Sequence, residues 1–426
     1  MEGLLIAVFV LAYAAIALEE PLKVNKSAAA LIGAGLLWTL YAVAHPGGHH
    51  AGEELSHSLA ATAEIAFFLM GAMTVVEVID THGGFDVVTR HIKAKSLLGL
   101  TWIISLVTFF LSPVLDNLTT TIVMIALARK LVGPAEDRLY MAGLIVIAAN
   151  AGGAWSPMGD VTTTMLWIGG QVTAGGIIKA LILPSAVNLL VPLGIASLAL
   201  RGRPLVPPAH GLGDEGPGSR FERNLIFALG LGVLLAVPAF KAITHLPPWL
   251  GILFGLGLLW AVADVIHRKK AVELRQRMVI AHALTRIDMA AVIFFTGILL
   301  AVAVLEHAGI LAGLAGWLEQ SLGRIDLIVL LFGLVSAVVD NVPIVAAAMG
   351  MYPLEQYPTD AFIWEFLAYA AGTGGSILII GSAAGVAAMS IEKIGFIWYL
   401  KRFAPLALAG YFAGALVYVG QAALLG

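Results

Sequence analysis

Two hexads, SPVLDN at Ser112–Asn117 and SAVVDN at Ser336–Asn341, put the same polar pattern into each half of the chain. Asp116-Asn117 and Asp340-Asn341 both fall inside apolar stretches. An ionised carboxylate at membrane depth costs about 2.5–3.5 kcal/mol or more and marks a functional site by default. A third acid, Asp160, closes the run NAGGAWSPMGD at Asn150–Asp160. Oxygen-bearing side chains gather around all three. Ser112, Thr119 and Thr120 accompany the first hexad, and Ser336 the second. Asn150, Ser156, Thr162 and Thr163 surround Asp160, while Thr373, Ser376 and Ser382 lie around a later glycine run. Hard cations take oxygen ligands, and carboxylates supply the compensating charge. Burial disfavours the charged form of a carboxylate and a bound cation favours it. One Asp can therefore hold a proton or a cation, but not both well. That competition suffices for exchange if the loaded site faces the two sides in turn. The expected site is a hard cation at Asp116, Asp160 and Asp340, flanked by Asn117 and Asn341, with the acids titrating as a coupled set.

Such a site needs a membrane-spanning framework, and the composition demands one. Hydrophobic residues make up 60% of the chain, charged residues 12%, and the mean hydropathy is +0.94. A soluble protein of 426 residues needs far more charge on its surface. The class is an all-α polytopic membrane protein, with the lipid bilayer as its first partner. The net charge of −3 offers no basic surface for nucleic acid. The absence of Cys excludes thiolate metal sites, disulfides and Cys nucleophiles. The first twenty residues lack a basic n-region and read as a retained span rather than a cleaved signal.

Ten spans are expected, at about 3–18, 27–44, 60–80, 141–168, 180–200, 224–243, 249–266, 289–305, 361–389 and 403–424. Between the third and fourth lies 97–131, and between the eighth and ninth 325–351. Each has two arms of about 13 residues, too short to cross singly. Re-entrant hairpins fit, because irregular backbone at this depth is tolerated only where it is buried in protein or lines a wet cavity. The spans 141–168 and 361–389 are interrupted by glycines, which cost helix stability and free backbone groups for a ligand.

The halves repeat. Phe68–Gly71 aligns with Phe294–Gly297, Asp80 with Glu306, the hexads with each other, and Gly152-Gly153 and Gly159 with Gly374-Gly375 and Gly381. The division is 1–200 as the first repeat, 201–223 as a Pro/Gly-rich cytoplasmic linker, and 224–426 as the second. Basic residues set the orientation: Arg90, Lys93 and Lys95; Arg129, Lys130 and Arg138; Arg201, Arg203, Arg220 and Arg223; Lys269, Lys270, Arg275, Arg277 and Arg286; and Lys393, Lys401 and Arg402. All fall on one side, which is cytoplasmic by the positive-inside rule. Both termini are then outside, and the two five-span repeats are inverted.

Other acids and rings have plainer readings. Glu64 and Glu77 share one span and are candidates for gating, while Glu306 and Glu365 read as interfacial and Asp288 as a solvated helix cap. The stretch 45–59 carries His45, His49, His50 and His57, read as a solvated outer loop rather than a pH sensor. Trp38, Tyr41, Trp249, Trp398 and Tyr399 read as interface anchors. An intramembrane aspartyl hydrolase would need two Asp sharing a proton, and it leaves the repeat unexplained. No GxxxxGK[ST] loop supports an ATP-driven pump. The chain reads as no enzyme, and no resident cofactor is expected.

SPVLDNLTTTIVM, GGAWSPMGDVTTTMLW, VVDNVPIVAAAMGMY and GTGGSILIIGSAAGVAAM resemble the NhaD-type sodium/proton antiporters, in the wider ion-transporter group that includes arsenite permeases and dicarboxylate/citrate carriers. The resemblance spans nearly the whole chain. It implies extrusion of Na⁺, and of Li⁺, against H⁺ entry, in a bacterial inner (plasma) membrane. The wider group implies a homodimer with a fixed scaffold and an elevator-like transport domain. The alternative on the same fold is an arsenite (oxyanion) or carboxylate permease. That alternative calls for basic or N–H groups at the tips, where the central motifs offer Asp and no Lys or Arg.

Overall fold

The computed structural model describes residues 2–45, 50–85, 87, 94–208, 219–268, 280–338 and 340–425. Arg90, Lys93, His49, Lys269, Lys270, Arg275, Arg277 and residues 209–218 of the expected linker lie outside the described residues. Among the described residues there are helices and no strand. The first half contains α1 (Glu2–Ala17), α2 (Glu19–Leu22), α3 (Lys26–Ala44), α4 (His50–Thr81), α5 (Leu97–Leu115), α6 (Asn117–Leu131), α7 (Ala135–Ala154), α8 (Val161–Ile168) and α9 (Ala174–Leu200). The second contains α10 (Arg220–Thr244), α11 (Pro248–His267), α12 (Ile280–Ala283), α13 (Met289–His307), α14 (Ile310–Leu322), α15 (Ile325–Ser336), α16 (Asn341–Met351), α17 (Phe362–Gly374), α18 (Ala383–Glu392), α19 (Phe396–Arg402) and α20 (Ala404–Leu425).

Eight of these helices are long and apolar enough to cross a membrane, and nine if α18 and α19, bent by 116°, count as one span. Seven of the eight coincide with expected spans. The eighth is α5, and it corrects the reading of 97–131. Its 19 residues are long enough to cross alone, where an arm of about 13 was expected. Ser112 and Pro113 are helical, and the turn narrows to Asp116. The arms of the second tip, α15 and α16, are short, with 12 and 11 residues. The loop expected over 45–59 is also shorter, because α4 begins at His50 and takes His50 and His57 into its first turns.

At the centre sits α7, buried from Met141 to Ala154, and beside it α17, buried on nearly every face. A helix apolar all round belongs in the interior. α5 and α6 pack on α7, α15 packs on α17, and α18 lies on both α6 and α7. A second group surrounds them. α1 and α13 pack on α3, α10 and α11 pack on each other and on α4, and α9 lies along α20. Their outward faces carry exposed aliphatics such as Leu198, Ile243, Val265 and Leu416, as lipid contact requires.

Close packing at the breaks depends on glycine, and the same contacts recur at aligned positions. A Cβ at Gly152 would overlap the Phe109 carbonyl, and one at Gly374 would overlap the Gly333 carbonyl. Gly153 sits against the Gly159 carbonyl as Gly375 sits against that of Gly381. Ser112 Oγ donates to the Ala149 carbonyl at 2.6 Å, and Ser336 Oγ to that of Ala371 at 3.2 Å. In the first half Pro113 contributes as well. Lacking an N–H, it leaves the Phe109 carbonyl without its helical donor.

Gly152→Ala and Gly374→Ala should each destabilise the fold by about 1–3 kcal/mol, the usual cost of overpacking. Gly232→Ala, at a position with open space around it, should not. Thermal unfolding of detergent-purified protein, followed by size-exclusion chromatography, checks the contrast.

Candidate functional site

Four half-helices begin at one place, and a polar side chain caps each. Asp116 caps α6, Asp160 caps α8, Asp340 caps α16 and Ser382 caps α18. The N-terminus of a helix presents unpaired N–H groups and partial positive charge, so it stabilises a carboxylate. Asp116 Oδ1 accepts from the Thr119 N–H at 2.7 Å and Oδ2 from Thr119 Oγ1 at 3.0 Å. Asp160 Oδ1 accepts from the Thr162 N–H at 3.4 Å, and Thr163 completes a capping box. Asp340 Oδ1 accepts from the Val342 N–H at 3.3 Å. The backbone of Asp116, at φ 72° and ψ 163°, occupies a region nearly reserved for glycine, a strain of order 1–3 kcal/mol that clusters at functional sites.

A cavity of about 380 Å³ joins these termini. Asp116, Asn117, Asp160, Asp340 and Asn341 all line it, so both hexads and the first broken span meet at one space. Asn341 Nδ2 donates to Asp160 Oδ2 at 3.0 Å, joining the second tip to the first half. Each described carboxylate oxygen accepts one hydrogen bond or ion-pair contact and has a further lone pair for a cation. Apolar side chains, among them Phe68, Leu69, Met73 and Val76 of α4, close the remaining wall.

The hydroxyl and amide groups expected as further ligands lie behind that wall. None of Ser112, Thr119, Thr120, Asn150, Ser156, Thr162, Thr163, Ser336, Thr373, Ser376 and Ser382 lines the cavity. Most are engaged with backbone or with one another. Ser156 Oγ donates to the Pro113 carbonyl at 2.7 Å and Thr373 Oγ1 to that of Tyr369 at 2.6 Å. Asn150 is the central knot. It accepts from Asn117 Nδ2 at 2.9 Å and donates to Ser376 Oγ at 2.8 Å and Ser382 Oγ at 2.9 Å, tying the two broken spans together. Broken helices leave polar backbone groups that must be satisfied internally, and these side chains do that.

Glu64 and Glu77, the expected gating candidates, also lie away from the cavity. Glu77 pairs with Arg286 at 2.9 Å and fastens the end of α4 to the entry of α13. Glu64 lies in the electrostatic neighbourhood of Lys241, whose ammonium donates to the Trp167 carbonyl at the end of α8 and covers the Trp167 ring at 4.8 Å. Glu365 accepts from Tyr418 Oη of α20 at 3.0 Å.

Three charged lining residues were not anticipated as part of the site: Glu19, Lys26 and Asp288. Asp288 does cap α13, as expected of it, but it also borders the cavity. Lys26 is the larger correction. The central motifs hold no base, yet Lys26 Nζ reaches Asp340 Oδ2 at 3.0 Å from the start of α3. The two are 314 positions apart, and no spacing pattern links them. Among the described lining residues it is the one base, against five acids.

Removing the Asn150 amide should leave Asn117, Ser376 and Ser382 short of partners, at about 1–3 kcal/mol per buried group left unsatisfied. Asn150→Ala should therefore lower thermal stability more than Thr373→Ala does. Combined with Asn117→Ala it should cost less than the two single changes together, because they share one bond. A double-mutant cycle on purified protein checks this.

Comparison with known proteins agrees with this architecture. The family model described as "Citrate transporter" matches residues 13–366. "Sodium/proton antiporter 1" of Arabidopsis thaliana is 48% identical over 413 residues, 96% of this chain and 71% of that protein. "Sodium/proton antiporter 2" of the same plant is 45% identical, over 96% of this chain and 97% of that protein. "Na(+)/H(+) antiporter NhaD" of Vibrio cholerae is 32% identical, over 97% and 90%. The solved YdaH transporter of Alcanivorax borkumensis shares the fold at a TM-score of 0.60 and 13% identity, covering 93% of this chain and 98% of that one. The chain belongs to the NhaD-type sodium/proton antiporter family, within the broader group that the citrate-transporter model describes.

Proposed function

We propose that this protein exchanges Na⁺, and Li⁺ in its place, for H⁺, at a site made by Asp116, Asp160 and Asp340 with Asn117 and Asn341 beside them. The carrying observation is the cavity lining: three capping aspartates drawn from both halves, with Glu19 and Asp288 adding negative charge and, among the described lining residues, a single lysine opposing it. A low-dielectric wall with that charge excess attracts a small cation. When the cation leaves, protons replace it on the carboxylates, because bare charges in this space are costly. The site therefore carries either load and is unfavourable when empty, which is what obligatory exchange requires.

The access mechanism in this reading is an elevator. α5–α8 and α15–α18 form the moving module, supported by their mutual packing around α7 and α17. α1, α3, α4, α10, α11 and α13 form the fixed wall. The recurring glycine and serine contacts at aligned positions support two inverted five-span repeats, with tips at 97–131 and 325–351 and breaks in 141–168 and 361–389. A homodimer in a bacterial inner membrane rests on the family resemblance alone. The rival reading, a carrier of citrate, another carboxylate or arsenite, has the wider family's description behind it. It meets a lining in which one Lys, already paired with Asp340, stands against five acids.

Proteoliposomes loaded with a pH-sensitive dye decide between them. Addition of Na⁺ or Li⁺ should move protons; addition of citrate or arsenite should not. Asp116→Asn, Asp160→Asn and Asp340→Asn should each reduce exchange by tenfold or more, on the order expected when a required charge is lost, with normal membrane insertion. Near-normal exchange by all three would reject the site. The sign of the pH effect also follows. Raising pH removes the competing proton, so half-saturating Na⁺ should fall, by up to about tenfold per pH unit where one proton competes. Initial rates across a Na⁺ series at several pH values read it directly.

A further inference from the structure

Lys26 has no part in the exchange described above, yet it sits on one of its three carboxylates. Its root is fixed. Asn25 caps α3 through the Ser27 N–H at 2.9 Å, the Lys26 N–H donates to Glu19 Oε1 at 3.0 Å, and Ser27 Oγ donates to the Ala290 carbonyl of α13 at 2.7 Å. Its ammonium spans from this frame to Asp340 Oδ2 and lies 4.4 Å from the centre of the Phe294 ring. The Phe294 face attracts a cation, and Glu19 and Asp288 lie in the same cavity lining. The ammonium thus has attractive neighbours within its own frame besides Asp340.

Asp340 differs from its two neighbours in this respect. Asp116 and Asp160 accept only from neutral donors, Thr119, Thr162 and Asn341. Asp340 already has a full positive charge, the Lys26 ammonium, paired with it. A second cation on that carboxylate would stand within a few ångströms of the first, and like charges at that distance repel strongly in a partly buried space.

We propose that Lys26 is a tethered counter-cation: it pairs with Asp340 when no transported cation is bound, leaving the exchanged proton to Asp116 and Asp160, and must be displaced before a transported cation can load. Lys26 acts through Asp340 as a positioning residue, and it sets cation affinity. It also makes loading a mechanical event, because displacement of the ammonium releases the contact between α3, in the wall, and α16, in the module that carries the site. The inference rests on the exchange reading and deepens it.

The chain contains no Cys, so Lys26→Cys installs a unique thiol. Purified Lys26→Cys is divided into three portions. One is left unmodified, one is treated with 2-aminoethyl methanethiosulfonate to restore an ammonium, and one with methyl methanethiosulfonate to add a neutral group of similar attachment. All are reconstituted, and half-saturating Na⁺ is measured at one fixed alkaline pH. The unmodified and methylated forms should show half-saturation about threefold or more below wild type, since the competitor is gone. The aminoethylated form should return towards the wild-type value. Lys26→Gln should behave as the cysteine form and Lys26→Arg as wild type, and this pair carries the test if Lys26→Cys does not fold. Half-saturation that is the same with and without a positive charge at position 26 overturns the proposal. Wild-type protein is measured in parallel. If it moves no protons on Na⁺ addition, the exchange reading fails; if it does and the charge at position 26 has no effect, only the role of Lys26 fails.

Discussion

The structure depends on how a carboxylate is made tolerable inside an apolar slab. Asp116, Asp160 and Asp340 do not lie mid-helix, where their charge would face only hydrocarbon. Each stands at the start of a half-helix, where N–H groups without helical partners need an acceptor. The interruption of the helix and the presence of the acid solve each other's problem. The break supplies donors and partial positive charge to the acid, and the acid satisfies donors that the break has exposed. Three such breaks brought to one cavity create a cluster of negative charge that no continuous helix could carry at this depth.

Everything around the cluster keeps the broken ends in place. Glycines at 152, 153, 374 and 375 let backbones approach so closely that a methyl group would overlap a carbonyl. Asn150 then locks the two broken spans through one amide, using both its donors and its acceptor. On the basic side, Glu392 at the end of α18 receives Arg129 Nε from α6 at 2.5 Å and stands 3.5 Å from Arg138 of α7. The elements that carry the site are thus cross-tied at both the middle and one end.

Much of this was legible in the residues. Apolar length marked the long spans, and paired glycines marked the breaks, because both are local properties of the chain. The three aspartates were legible because a charge in an apolar run is costly wherever it points. The tip at Asp116 was drawn too wide, since the helix runs on through Pro113 by leaving the Phe109 carbonyl to face Gly152. The placement of the hydroxyls behind the cavity wall was not legible, for a different reason. A Ser or Thr near a break has the same composition whether it turns to a ligand or to a neighbouring carbonyl, and Ser112, Ser156 and Thr373 turn to carbonyls. Lys26 was invisible because its partner is set by tertiary packing alone.

The cap on α18 has a consequence for symmetry. Asp116 and Asp340 are mates in the alignment of the halves, but the mate of Asp160 is Ser382, and the mate of Asn150 is Gly372. The capping geometry is preserved at both broken spans while the charge is kept at one. The cluster is therefore lopsided: two charges related by the repeat and a third with no image. A perfectly two-fold arrangement would offer a cation two equivalent seats, each half as distinct from the other. The lopsided one sets the α8 terminus apart from the α18 terminus by charge while their capping geometry stays alike, so duplication of the backbone does not carry through to the electrostatics of the cavity.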